Sequence, residues 1–328
     1  MAVDTAQTST ETSSADASAV QGRSLKAIVW GRLRRDRTAV ISIVGLSLIL
    51  LTAIFAPLIT RLIGVDPYSF NPDQLSSAGS LPLGNFGGIS VEHPLGVEPQ
   101  TGRDILARLL YGARLSLFIT LTATVITIVV GTLAGIVAGY RGGWIDTLIS
   151  RLSDLTLVFP VLVLLIALGP VAQQLAANAG LDPNTGRVGF IIFVLGLFGW
   201  PYLGRLVRGQ VLSLREREFV EAAESLGAPG RRVLFAEILP NLIAPIIVVM
   251  SILLPSFIIT EATLSFLGVG VLPPTPTWGN MLEDSVKFFT VVPTYMFIPG
   301  TALLITVLLF NLLGDSIRDA VDPRAGRV

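Results

Sequence analysis

The 328-residue sequence has no cysteine, a single histidine (His93) and only two lysines, Lys26 and Lys287. The missing cysteine excludes disulfides, thiol nucleophiles and thiolate metal sites. One histidine excludes a histidine-based metal cluster drawn from this chain alone. Neither lysine stands in a Gly-Lys-Ser/Thr run, so the chain has no phosphate loop of that type and cannot hold ATP in that way. Charge is scarce as well: 14% of residues are charged, the formal net charge is zero and the pI is near 6.6, which gives no footing for nucleic acid. What the chain has in quantity is apolar surface, with 52% hydrophobic residues and a mean hydropathy of +0.71. That places it in a bilayer, with membrane lipid as its solvent.

The first residues are Ala, Ser, Thr and Gln with a few acids, so 1–24 reads as a disordered tail and 25–37 as a basic segment. A basic start followed by an apolar stretch, as a signal peptide requires, is not found there. Uncharged or nearly uncharged runs at 39–59, 115–138, 148–171, 190–207, 242–267 and 295–313 each approach the ~20 residues that a ~30 Å hydrocarbon layer demands. The expected fold is all-α, a polytopic bundle of six transmembrane helices over 38–328. Pro160, Pro201, Pro245, Pro255 and Pro299 imply kinked helices whose freed carbonyls are satisfied by neighbours. If the N-terminus lies inside, 17 of the 23 Lys and Arg fall in inner segments, so both termini are expected in the cytoplasm.

The charge that is present gathers where it is least expected, between the fourth and fifth runs, in EAAESLGAPGRRVLFAEILP at 221–240. Ser213 and Glu216 fit a Ser-x-x-Glu capping box and predict a helix beginning there. Phe219, Val220, Ala222, Ala223 and Leu226 recur on one side, with Glu218, Glu221 and Glu224 three apart on the other. Gly227 supplies a left-handed stop, and Pro229 fits the first turn of a second short helix that ends at Pro240. A capped helix, a corner and a second short helix suit docking into a partner's groove better than merely joining two spans.

These residues resemble the EAA loop of ATP-binding-cassette importer permeases: Glu221, Ala222, Ala223, Gly227 and Leu239-Pro240 fall at that motif's spacing. HPLGVEPQTGRDILARLLYGARLSL at 93–117 is similar to the segment before the second span in permeases for dipeptides, oligopeptides and nickel. It departs from that pattern by Val97-Glu98 in place of Thr-Asp and by one extra residue before Gly102-Arg103-Asp104. LSFLGVGVLPPTPTWG at 264–279 and NLLGDSIRDAVDPR at 311–324 resemble the same group. The resemblance implies a type I ABC importer permease fold in a bacterial cytoplasmic membrane, as the second (C-type) membrane subunit. The implied partners are a related six-span subunit, two ATP-binding-cassette ATPase domains and an extracytoplasmic substrate-binding protein. It also implies that ATP and Mg are bound by the ATPase subunits, with no cofactor and no catalytic residue in this chain. The coupling loop would lie at about 213–240, with Phe219, Ala222 and Ala223 filling the ATPase groove, Glu221 meeting a basic group there, and Glu224, Gly227 and Pro240 completing the motif. Di- or oligopeptide is the expected cargo, with nickel chelates or glutathione as the alternative on the same scaffold. The outer stretches 64–114 and 271–293 are expected to receive the binding protein.

Other residues invite separate readings. Gly131, Gly135 and Gly139 form a small-residue ladder expected to be a helix-packing face. Glu261 lies about 30 Å along its run from the inner edge, so it is placed in an outer vestibule with Arg114 as a candidate ion-pair partner. His93, beside Pro94, reads as a turn residue. The competing class is an ion-gradient-driven secondary transporter, which usually carries acids or histidines at the bilayer midplane; the middle thirds of runs one, two and six carry none.

Overall fold

The structure is a computed structural model that describes residues 25–77 and 80–321. The expected tail at 1–24, and the basic residues Arg324 and Arg327, lie outside the described residues. Several helix starts follow from local signals. After α1 (Leu25–Leu33), Asp36 accepts from the Thr38 backbone N–H at 2.9 Å and starts α2 (Arg37–Ile54). Phe55 ends α2 just before α3 (Ala56–Ile63), which stops at Gly64. A long loop with two single-turn 3-10 helices, Pro72–Gln74 and Asn85–Gly87, leads to α4 (Ile105–Arg141), whose first turn is capped by Asp104. Then come α5 (Gly143–Val158), α6 (Val161–Asn178) and α7 (Pro183–Arg215), the last capped by Asp182. The chain continues through α8 (Glu218–Ser225), α9 (Gly230–Arg232), a π-helical stretch Val233–Ile238, and α10 (Leu239–Phe266). The short α11 (Trp278–Val286) and the long α12 (Pro293–Val321) complete it.

Six helices among the described residues are long and apolar enough to cross a membrane, the number expected. α4, at 37 residues, is about 55 Å long, nearly twice the ~30 Å of hydrocarbon, so it projects from both sides. It runs parallel to α7 at the centre of the bundle, Gly131, Gly135 and Gly139 meeting Leu203, Val207 and Val211 in turn, and the glycine ladder explains the closeness. A β-carbon on Gly135 would stand 2.6 Å from the Gly204 carbonyl oxygen, and one on Gly139 would stand 2.8 Å from Val211 Cβ. α6 covers one side of α7, while α2, α10 and α12 cover α4 and one another. The chain's two described ends meet: Arg32 donates to the Ala320 carbonyl at 3.1 Å, and the Thr38 and Ser316 hydroxyls are 3.1 Å apart.

Three boundary expectations are corrected. The third span is not continuous over 148–171, because the chain leaves helical geometry at Phe159 (ψ 126) immediately before Pro160. The residue before a proline is driven out of the α region, so α6 alone is the span and α5 precedes it as an amphipathic helix. Ser213 and Glu216 form no capping box: Ser213 is in the last turn of α7 and Glu216 is that helix's C-cap, because the apolar stripe of α7 continues through Val211 and Leu214. The second short helix does not end at Pro240 either; α9, the π-helical stretch and α10 form one continuous span from Gly230 to Phe266. Leu239 donates to the Leu234 carbonyl five residues back, and this widened register just ahead of Pro240 absorbs the proline's missing donor and ring clash.

Candidate functional site

At the end of the bundle where α7 turns into α10, α8 is fixed by a small number of specific contacts. Val220 is fully buried and belongs to an apolar cluster with Leu203, Val207, Val211, Val233 and Ile238, on which Ala223 also packs. Burying a side chain of this kind contributes about 1.5–3 kcal/mol. The helix closes on paired backbone bonds: Ala228 N–H donates to the Ala223 carbonyl (3.0 Å) and Gly227 N–H to the Glu224 carbonyl (2.9 Å). That Schellman pattern requires a left-handed residue, and Gly227 has φ +79. Tyr140, at the end of α4, reaches across to Glu224 at 3.5 Å and borders Gly230, so the corner touches the central helix directly.

The same geometry divides the site residues into two faces. Phe219, Glu221, Ala222, Glu224 and Gly227 are exposed, as is Pro240 at the start of α10. Ala223 is the correction: it turns inward with Val220, because its position in the helix faces the apolar cluster and not solvent. Leu226, 88% exposed, takes its place, one helical stripe with Phe219 and Ala222 at spacings of three and four. Exposed apolar side chains are ordinary where lipid covers them. Here they stand among the exposed Arg217, Glu218, Glu221 and Glu224, which hydrocarbon would not accept.

Beside this corner, α5 is held along α7 by ion pairs that the sequence reading missed. Arg208 grips Asp146 with Nε and a terminal nitrogen at 2.5 and 2.7 Å, and Arg205 reaches Asp154 at 2.7 Å. The Arg208 hydrogen bonds hold the Asp146 carboxyl below the ordinary carboxylate range, against the opposing effect of burial.

The opposite end, where the long loops lie, has different chemistry. Glu98 is buried and serves as a hub: Arg103 Nε donates at 2.8 Å, Thr101 and Tyr295 hydroxyls donate at 3.0 Å each, and the buried Arg108 forms an ion pair with it. Arg108 also donates to the Pro274 carbonyl at 3.0 Å and to the Pro67 carbonyl at 3.4 Å, binding the two loops at this end together. His93 does sit in a turn, its carbonyl accepting from Gly96 N–H at 2.9 Å, and its ring also meets Asp104 at 2.8 Å. The segment turns over 99–102, where Gly102 N–H donates to the Glu98 carbonyl at 2.9 Å and Gln100 has φ +65. A cluster of Glu98, Arg103, Asp104 and Arg108 within eleven residues of a charge-poor chain was the signal available for this hub.

Glu261 and Arg114 do not pair. Glu261 is fully buried between α10, α4 and the start of α11, where Ser265 donates to it at 2.8 Å. The Ser116 and Thr277 hydroxyls face the same carboxyl, but without hydrogen-bond geometry, and Oε2 is left unpartnered. Arg114 points the other way, exposed in a groove beside α2. Helical spacing explains it: Ser116 and Arg114 are two residues apart on α4 and therefore face different sides. Glu261 is thus enclosed within the bundle of this chain and does not open on the groove that holds Arg114.

The bundle of long helices, the buried α4–α7 seam and the stapled amphipathic corner define an importer-type membrane permease, and comparison with known proteins agrees. The family described as "Binding-protein-dependent transport system inner membrane component" matches residues 131–327, and "N-terminal TM domain of oligopeptide transport permease C" matches 24–82. The chain belongs to the first of these families and has the second's N-terminal segment, which makes it a permease subunit of the C type. It is 38% identical to the dipeptide transport system permease protein DppC of Alkalihalophilus pseudofirmus over 89% of this chain and 88% of that one. It is 36% identical to the oligopeptide transport system permease protein OppC of Bacillus subtilis over the same shares. With the glutathione transport system permease protein GsiD of Escherichia coli it shares 37% identity over 90% of this chain and 89% of that one. Among solved structures, an inward-facing MetNI methionine ABC transporter matches with a TM-score of 0.51 at 19% identity, covering 66% of this chain and 98% of that one, a likeness of fold.

Proposed function

We propose that this chain forms half of the translocation pathway of an ATP-driven importer for di- or oligopeptides, and that α8 transmits the ATPase's motion to the spans. The α8 end lies in the cytoplasm, as do both termini, and the loop end faces the binding protein that delivers the cargo. ATP and Mg are held by two ATPase domains on other subunits, and a related six-span subunit supplies the second half of the pathway. The observation that carries the reading is the two-sided character of α8. Val220 and Ala223 pin it to the bundle, while Phe219, Ala222 and Leu226 form an uncovered apolar stripe in a charged, water-facing setting. A helix held this way passes displacement on directly, since the Tyr140 contact and the apolar cluster link it to α4, α7 and α10. Ala222 allows close backbone approach within an ATPase groove, and Glu221 is placed to meet a basic group at its rim.

Peptide is preferred to glutathione or nickel chelates because the DppC and OppC relatives are named for dipeptide and oligopeptide transport. The test is uptake by the four-component complex in proteoliposomes with labelled peptides of graded length. Uptake should require ATP and the binding protein and be indifferent to a proton ionophore. Uptake that continues without ATP and stops with the ionophore would instead establish the gradient-driven class.

A further inference from the structure

On the loop side of the bundle a cavity of about 660 Å³ opens between α2 and α4, with Tyr68, Tyr111, Arg114 and Thr275 at its mouth. Its walls are apolar, and a second cavity of about 240 Å³ continues from it toward α12, the two sharing Leu50, Leu117 and Leu121. Arg114 lies about 13 Å along α4. Because α4 is about 55 Å long and the hydrocarbon layer ~30 Å thick, that puts the guanidinium at the edge of the hydrocarbon. The groove runs along α2 from Ile54 to Ile43, about 16 Å, close to one leaflet's half of that layer. The second cavity offers one polar side chain, Ser47. Arg114 makes no ion pair among the described residues, and the Tyr68 and Tyr111 rings meet edge to face at 6.3 Å beside it.

We propose that this groove is a binding site for one membrane phospholipid, its phosphate on Arg114 with the two phenols and one acyl chain lying along α2 toward Leu313. The shape matches an amphiphile with a single anionic head and a long apolar tail. A peptide would fit poorly, because its backbone N–H and C=O groups would go unsatisfied against Leu46, Leu121 and Phe310. A helix of the partner subunit would fill the apolar part but would have to bring a carboxylate into the span to meet Arg114, whereas a lipid carries its anion at that depth already. Desolvation, followed by the neighbouring Tyr111, pushes the Tyr68 phenol up from its ordinary value, so it stays protonated and can donate to a phosphate. The inference requires only that the six spans lie in a bilayer and is independent of the cargo.

The assembled transporter, in membranes doped with phosphatidylglycerol that carries a photoreactive acyl tail, is illuminated, digested and mapped by mass spectrometry. Adducts should concentrate on the peptides holding Leu50 and Leu121, above the background at the exposed Leu133 and Leu304. Arg114→Ala should lower them about fivefold, the effect of one phosphate-facing cation, with Arg114→Lys restoring most of the loss. Ser47→Trp, which fills the tail groove and leaves Arg114 in place, should lower them as well, and size-exclusion profiles confirm assembly of each variant. Excess inorganic phosphate or dipeptide should change nothing. The proposal is overturned by groove labelling no higher than background, by labelling indifferent to Arg114→Ala, by displacement with dipeptide, or by a Ser47→Cys chain that crosslinks there to the partner subunit.

Discussion

At the loop end Glu98, Arg103 and Arg108 are buried and joined to one another, whereas at the α8 end Glu218, Glu221, Glu224, Arg231 and Arg232 stand in solvent. Both ends are rich in charge within a charge-poor chain, yet one has satisfied its charges internally and the other has not. A buried charge left unpaired costs several kcal/mol, so the loop end must hold one arrangement. An exposed charge costs almost nothing and is free to meet a partner. One end is a finished structure that ties the loops and α12 to α4; the other, half of an interface in the function proposed, is pinned by Val220 and open along Phe219, Ala222 and Leu226.

The contrast can be broken most forcefully at Glu98. Glu98→Ala leaves two buried guanidinium groups without their counter-ion and should cost about 3–5 kcal/mol. It should appear as a large fall in the melting temperature of the purified complex, and an unchanged melt would mean the hub is dispensable. Next in size is Ala222→Trp, which should leave folding and assembly intact while lowering ATP-driven uptake by at least about tenfold, the equivalent of ~1.4 kcal/mol of coupling. Ala223→Trp should instead lower the melting temperature, since that side chain faces the apolar cluster.

Those two alanines also show how far the sequence could be read. The EAA stretch was legible because Gly227 announces its own φ and because Val220 and Ala223, and separately Phe219, Ala222 and Leu226, follow helical spacing. Which of two adjacent alanines faces inward depends on where α7 and the π-helical stretch lie, and that is tertiary information. The span count was legible for the same reason that the Phe159–Pro160 break was not: hydropathy averages over a window, while a pre-proline break acts on a single residue. The Glu98 hub and the Arg208–Asp146 clasp join residues far apart in the chain or across a turn, so composition marked them as dense in charge without saying what they paired with.

Smaller effects sharpen the comparison within the α8 end. Gly227→Ala places a β-carbon in left-handed geometry and should cost about 1–2 kcal/mol, visible as faster proteolysis at 225–230 in the isolated subunit. Smallest is Asp146→Asn, about 0.5–1 kcal/mol at neutral pH for a partly exposed pair. The Asp146 carboxyl is depressed in the folded protein, so its contribution is fully present above the ordinary carboxylate range and is lost as pH falls through the lower folded value. The melting difference between wild type and Asp146→Asn should therefore hold from neutral pH down to that range and vanish only in stronger acid.

The central claim is that α8 presents a stripe awaiting a foreign subunit, and the absence of native cysteine makes it directly measurable. A single Ala222→Cys should react with a membrane-impermeant maleimide only from the cytoplasmic side, quickly in the subunit alone and about tenfold more slowly once the ATPases are bound, a change of ~1.4 kcal/mol in exposure free energy. Labelling from outside the cell, or equal rates with and without the ATPases, would contradict the account.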